Sequence, residues 1–182
     1  MDSILIYSST DGQTKKICEA IKNYSKDKDN HEIVSIENSN KINLNNYKQI
    51  IIGASIRYGN HNSNIYKFIA ENKKIIENKK NAFFSVNVVA RKPEKNTPET
   101  NPYIKKFLKK TQLSPMQLGV FAGKVDYPSY NFMNKLIIRL IMMITNGPTD
   151  TNKSYEFTDW EEVKKFSKNF EDLKIVWYFF VF

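Results

Sequence analysis

The chain predicts an α/β fold: a doubly wound parallel sheet of five strands with helices on both faces. Three observations carry this prediction. Short apolar runs alternate five times with segments of helical periodicity, the pattern of right-handed βαβ crossovers. One run, Gln49-Ile50-Ile51-Ile52-Gly53, is continuously apolar, as a strand covered on both faces requires. The stretches 8–14, 54–60 and 85–91 each follow a strand and are polar or aromatic. They leave the carboxyl ends of their strands, where open parallel sheets bind ligands.

The elements follow in order. Ile4-Leu5-Ile6-Tyr7 reads as the first strand, and Ile17, Ala20 and Ile21 recur at helical spacing within a helix over roughly 13–26. After the polar turn 26–30, His31 to Ile36 alternates as a second strand, and 38–46 is loop. The run 49–53 is the third strand, and a helix is predicted from about Ser63 to Asn72. Ala82 to Asn87 is the fourth strand. The following 91–116 is polar and carries Pro93, Pro98, Pro102 and Pro115, so it is expected as an insertion with one helix near 102–111. Leu118 to Gly123 is the fifth strand. Thr158 and Glu161 have capping-box spacing at the start of the last helix.

Two segments stand apart. Between Tyr130 and Thr145 a helical wheel gathers Asn131, Asn134, Lys135, Arg139 and Thr145 on one arc, with Ile138 and Met142 intruding. The rest of that wheel is a very wide apolar face. It is either a core helix or a helix docked on a membrane with Lys135 and Arg139 at anionic headgroups. The end of the chain, 175–182, is uniformly apolar and is expected as a tail after a single domain spanning 1–174.

The chain's 182 residues include 28 basic and 19 acidic ones, a formal charge of +9. That balance favours anionic partners, although lysines paired along exposed helix faces account for it equally well. A nucleic-acid binder is disfavoured, because no binding motif appears and the aromatics do not interleave with basic residues on a strand. The single cysteine, Cys18, excludes a disulfide framework and multi-thiolate metal sites. No run reaches the roughly 20 apolar residues of a membrane span, and a strand begins almost at the N-terminus, leaving no room for a signal peptide. A cytoplasmic protein able to touch the membrane from that side is expected.

The stretch Tyr7-Ser8-Ser9-Thr10-Asp11-Gly12-Gln13-Thr14 joins the first strand to the first helix. Hydroxyls and backbone N–H groups there converge at the positive end of a helix dipole, which suits a phosphate. Gly12 permits positive φ or close approach. No lysine follows it, so the loop is not that of ATP- and GTP-hydrolysing proteins. A plain N-cap turn would use the same residue types.

Ser9-Thr10-Asp11-Gly12-Gln13-Thr14 resembles the phosphate loop of flavodoxins, with Asp11 where threonine is usual. Ile51 to Gly59, Ser85 to Lys95, Leu140 to Met143, Thr149-Asp150-Thr151 and Thr158-Asp159-Trp160 narrow the resemblance. Together they resemble the flavodoxin-like, menaquinone-dependent protoporphyrinogen IX dehydrogenases, over about 3–173.

The resemblance implies FMN as cofactor. It implies cofactor contacts from Ser9, Thr10, Asp11, Gly12, Gln13, Thr14, Ser55, Ile56, Arg57, Tyr58, Gly59, Ser85, Val86, Asn87, Ala90, Arg91, Thr149 and Asp150. Asp11 is expected to turn away from the phosphate and cap backbone N–H groups. The implied reaction is oxidation of protoporphyrinogen IX to protoporphyrin IX, with six electrons leaving in three two-electron steps to a membrane quinone. Arg57, Arg91, Lys92 and Lys95 are candidates for the substrate propionates, and no acid or base is singled out. The implied setting is peripheral, on an anionic membrane surface at the cytoplasmic face of the cell membrane; a homo-oligomer is left open. A flavodoxin-type electron carrier and an NAD(P)H-quinone reductase remain as alternatives. Carriers are usually acidic, and this chain is basic.

Overall fold

The computed structural model describes residues 2–174; the expected tail at 175–182 lies outside the described residues. The first strand, β1 (Ser3–Ser8), alternates its side chains between two apolar layers. Ile4 and Ile6 enter one layer and Leu5 the other, the period-two signature of a strand. β2 (His31–Ser35) and β3 (Gln49–Arg57) pair in parallel with β1 on either side. The apolar run in β3 splits the same way: Ile50 and Ile52 go to the first layer, Ile51 to the second.

β3 turns back through a two-residue antiparallel strand, β4 (Asn60–His61), that the sequence pattern did not predict. β5 (Lys80–Val86) and β6 (Gln117–Phe121) complete the parallel sheet in the order β2-β1-β3-β5-β6. Strand order reverses between β1 and β3, which opens the ligand crevice there.

Helices cover both faces. α1 (Gln13–Tyr24) and α5 (Trp160–Asp172) bury Ile17, Cys18, Ile21, Val163, Phe166 and Phe170 on the layer of Leu5 and Ile51. α2 (Ser63–Glu77) and α3 (Pro102–Thr111) bury Ile65, Phe68, Ile69, Ile104 and Phe107 on the other. α2 runs past the expected Asn72 because Ile76 continues its buried stripe. Gly53 faces the Phe84 ring so closely that a Cβ would stand 2.2 Å from Cζ. Replacing Gly53 by Ala is expected to destabilise the fold by about 1–3 kcal/mol through overpacking, read as a lower urea midpoint.

Two expectations change. The segment 91–116, expected as an insertion, is the β5-to-β6 crossover itself, with α3 at its centre. Parallel neighbours require such a covering connection, and the prolines mark its turns and the first turn of α3. The larger departure from the simple plan is 122–157. It holds β7 (Lys124–Asp126), α4 (Phe132–Ile144) and β8 (Ser154–Glu156), with β7 and β8 paired antiparallel. In addition, α5 is capped by Asp159, whose carboxylate accepts from the N–H groups of Glu161 and Glu162. Thr158 stands one residue early and instead joins Gln13 Nε2 (2.8 Å) to the Ala122 carbonyl (2.7 Å). It thereby closes the base of the excursion against the start of α1.

α4 is not a core helix. Met142 is its one fully buried residue, and Ile138 packs half-buried beside it on Val125 and Tyr127. Phe132, Met133, Leu136, Leu140, Met143 and Ile144 are exposed, Phe132 at 78% and Ile144 at 81%. No helix among the described residues is long and apolar enough to cross a membrane.

Candidate active site

The tips of β1, β3 and β5 enclose an open cleft, a concave site at the strand ends of the kind that takes small molecules. Its floor is the loop 9–14. Gly12 holds φ +78° as the N-cap of α1 and provides no side-chain cap, so the first-turn N–H groups lack a side-chain acceptor. The Ser9 and Thr14 hydroxyl oxygens are buried without a hydrogen-bond partner among the described residues. Buried hydroxyls are normally paired. Two left open beside a helix N-terminus match an anion that brings its own acceptor oxygens, so the loop fits the phosphate of FMN.

Asp11 points away from that floor, but not to cap backbone N–H groups as expected. Its Oδ2 accepts from the Tyr130 hydroxyl at 2.8 Å and lies 3.9 Å from Arg57 Nη1. Burial and the acceptor Asp11 raise the pKa of Tyr130, so the phenol stays protonated and donates.

The second wall is the β3–β4 hairpin. Tyr58 and Gly59 have φ +48° and +77°, the positive pair of a type I′ turn, whose twist suits a two-residue hairpin. This lifts Tyr58 to the rim, 58% exposed, with its hydroxyl bonded to Asn134 of α4. The Arg57 guanidinium packs on the Tyr58 ring (4.9 Å) and the Tyr130 ring (5.3 Å). It makes no hydrogen bond to protein among the described residues, and Asp11 at 3.9 Å is its ion-pair partner. Its five N–H donors are therefore held in place and available.

The third wall is 86–89. Asn87 caps the short turn after β5 by accepting from Ala90 N–H at 3.1 Å. Ser85 lies beneath it, fully buried, and donates no atom to the cleft surface. From Ser85, contacts lead to His61 Nε2 (3.0 Å), while Asn87 Nδ2 reaches Ser85 Oγ at 3.2 Å.

His61 is held neutral. Burial first, then the charge of Lys106, draws its pKa down to about 4. The unfolded chain titrates near 6.5, so between pH 6.5 and 4 the unfolded state binds a proton that the folded state refuses. Stability therefore falls as pH drops through that window, by on the order of 3 kcal/mol. Urea unfolding across it is expected to show this slope flattened in His61→Gln.

Of the residues singled out by sequence, Ser9, Thr10, Asp11, Gln13, Thr14, Ser55 to Gly59, Val86 and Asn87 line the cleft. Gly12, Ser85, Ala90, Arg91, Thr149, Asp150, Lys92 and Lys95 do not. Arg91 is committed to the end of α4: Nη2 donates to the carbonyl and hydroxyl of Thr145, both at 2.7 Å, and Nη1 to the Val88 carbonyl at 3.0 Å. A cation at a helix C-terminus is favourable there. Asp150 closes an exposed turn with Asn152 and Lys153. Lys95 sits in a turn fastened by Asn101 to its carbonyl at 2.8 Å.

Sequence reading missed the wall from the excursion: Lys124, Tyr130, and Ile138, Ile141 and Met142 of α4, together with Tyr103 of α3. The one available signal was Ile138 and Met142 breaking the polar arc of the wheel.

Known proteins are similar to this chain over most of its length. The flavodoxin domain family matches residues 4–152. A protoporphyrinogen IX dehydrogenase (quinone) of Leishmania major is 39% identical over 174 residues, covering 94% of this chain and 75% of that protein. The Escherichia coli K12 protein of the same name is 37% identical over 174 residues, covering 95% and 96%. Among solved structures, Bacillus cereus flavodoxin 1 aligns with a TM-score of 0.54 at 16% identity, over 96% of this chain and all of that one. An archaeal flavodoxin aligns with a TM-score of 0.52 at 19% identity, over 93% and 96%; both establish the fold. The chain belongs to the flavodoxin domain family and, within it, to the quinone-dependent protoporphyrinogen IX dehydrogenases.

Proposed function

We propose that this protein is an FMN-dependent dehydrogenase that oxidises protoporphyrinogen IX to protoporphyrin IX and passes the electrons to a quinone at a membrane surface. The observation that carries the reading is identity of 37–39% to relatives of that activity over 174 residues, through the cleft and the excursion alike. Bound FMN supplies two-electron redox chemistry, so the six electrons leave in three rounds.

The chain's residues bind and orient. Ser9 and Thr14 would donate hydroxyl hydrogen bonds to the phosphate, with Thr10, Gly12, Gln13 and the start of α1 supplying backbone donors. Asp11, turned to Tyr130 and Arg57, keeps its charge off that floor. Tyr58 at the hairpin tip and the 86–89 wall, both lining the cleft, would flank the ring. Arg57 receives a substrate propionate, since its planar donors are aimed and unused; Arg91, bonded to Thr145, takes no part.

α4 brings the site to the bilayer. Its 13 residues extend about 20 Å, short of the roughly 30 Å hydrocarbon core, so it lies along the interface. The apolar face enters the lipid, and Lys135, Arg139 and the net charge of +9 favour anionic headgroups. The inner side of α4 walls the cleft through Ile138, Ile141 and Met142, which gives a lipid-soluble quinone an apolar approach.

The test is anaerobic: protein loaded with FMN, protoporphyrinogen IX and menaquinone. Porphyrin fluorescence is expected to rise well above a protein-free control and to depend on quinone. A rise no faster than the control would overturn the reaction; flavin reduction by NADPH without porphyrinogen would indicate a quinone reductase instead.

A further inference from the structure

His61 has no place in the chemistry above, yet it is a buried titratable group beside the cleft. Its backbone pairs β4 to β3 opposite Ile56, so its side chain is the root of the hairpin that carries Arg57 and Tyr58. The ring is packed edge-on among Phe107 (5.5 Å), Phe83 (5.6 Å) and Tyr66 (6.2 Å) and is 4% exposed.

The hydrogen bonds fix its tautomer. Ser85 Oγ accepts from Asn87 Nδ2 at 3.2 Å, and His61 Nε2, at 3.0 Å, is the one acceptor among the described residues for the Ser85 hydroxyl proton. Nε2 is therefore unprotonated, and Nδ1 carries the hydrogen toward the Tyr66 hydroxyl at 3.4 Å. Asn87, oriented in this way, uses Oδ1 to accept from Ala90 N–H (3.1 Å) and Asn101 Nδ2 (3.3 Å). Every member of this chain from His61 to Asn101 is buried, where a lost partner is not replaced by water.

We propose that neutral His61 is a positioning residue for the flavin ring, holding both walls of the cleft: the hairpin 57–60 through ring packing, and the loop 87–91 through Ser85 and Asn87. This rests on the reading that FMN occupies the cleft. The two holds are separable. His61→Phe keeps an aromatic ring in the box but removes the acceptor. His61→Gln keeps an acceptor. Ser85→Ala removes the same hydrogen bond without touching the box.

The experiment measures FMN affinity by fluorescence titration and amide exchange in the apo-protein, on variants whose far-UV circular dichroism matches the parent. His61→Phe and Ser85→Ala are expected to weaken FMN roughly tenfold and to quicken exchange at 87–91 while leaving 57–60 protected. His61→Gln, which keeps the acceptor but loses the ring, is expected to leave 87–91 protected and to quicken exchange at 57–60. His61→Phe and Ser85→Ala both binding FMN as the parent does would overturn the proposal, as would His61→Gln quickening exchange at 87–91 as His61→Phe does, or leaving 57–60 as protected as in the parent. If His61→Phe fails to fold, Ser85→Ala against the parent decides the matter by the same two readouts. Failure of the parent itself to bind FMN would count against the flavin reading, not against the hydrogen-bonded chain, whose effect on exchange at 87–91 is read without flavin.

Discussion

Replacing Leu136, Leu140 and Met143 together by Glu is expected to release the protein from vesicles. These residues lie at i, i+4 and i+7 on the outer side of α4, each between 43% and 57% exposed. Full burial of such side chains contributes about 1.5–3 kcal/mol each. At half immersion in an interface the three together still lose on the order of 3 kcal/mol, more than a hundredfold in vesicle affinity. Co-sedimentation with vesicles of mixed neutral and anionic phospholipid measures this, and parent binding should weaken as salt rises. FMN affinity should not change, because these side chains point away from the cleft. A triple variant that sediments as the parent does would show that another surface makes the contact. Ile138 and Met142, which the wheel had marked as intruders, are unsuitable for this test. They pack inward on Val125 and Tyr127, so charging them would damage the excursion's small core.

The double replacement Ser9→Ala with Thr14→Val is expected to separate cofactor affinity from stability, with opposite signs. Hydrogen bonds to a charged group contribute about 1.5–3 kcal/mol each, so losing two should weaken FMN by a hundredfold or more. The apo-protein should be as stable as the parent or more so, because both hydroxyl oxygens are buried without partners and a methyl group removes that cost. Fluorescence titration gives the first quantity and thermal unfolding without flavin the second. A loss of apo stability in step with affinity would mean that these hydroxyls serve the fold and not the phosphate.

The core strands were legible because their information is local. A buried parallel strand must be apolar at every position, and Ile50-Ile51-Ile52 declares that directly. The loop 9–14 was legible for the same reason: its hydroxyls, its glycine and the helix that follows are adjacent in sequence. The hairpin strand β4 was not, since two residues carry no periodicity and Tyr58 gives no sign in sequence of a positive φ. The insertion was expected at 91–116 because prolines and polarity suggest irregular chain. Those prolines instead serve an ordinary crossover, and the excursion at 122–157 shows itself only once β6 has found its place at the sheet edge.

Sequence alone determined the strand-and-helix alternation, the hydroxyl- and glycine-rich first loop ahead of α1 and the family, because each resides in neighbouring residues. Tertiary structure decided which cations are available and which side of α4 is open. Arg57 and Arg91 look alike as candidates, but Arg91 is committed to Thr145, 54 positions away, while Arg57 keeps its donors. The apolar wheel of α4 is the same whether buried or bare; only the packing of the excursion, which covers Met142 and leaves Leu136, Leu140 and Met143 uncovered, settles it. Burial and pairing are sums over distant contacts, and no window of sequence contains them.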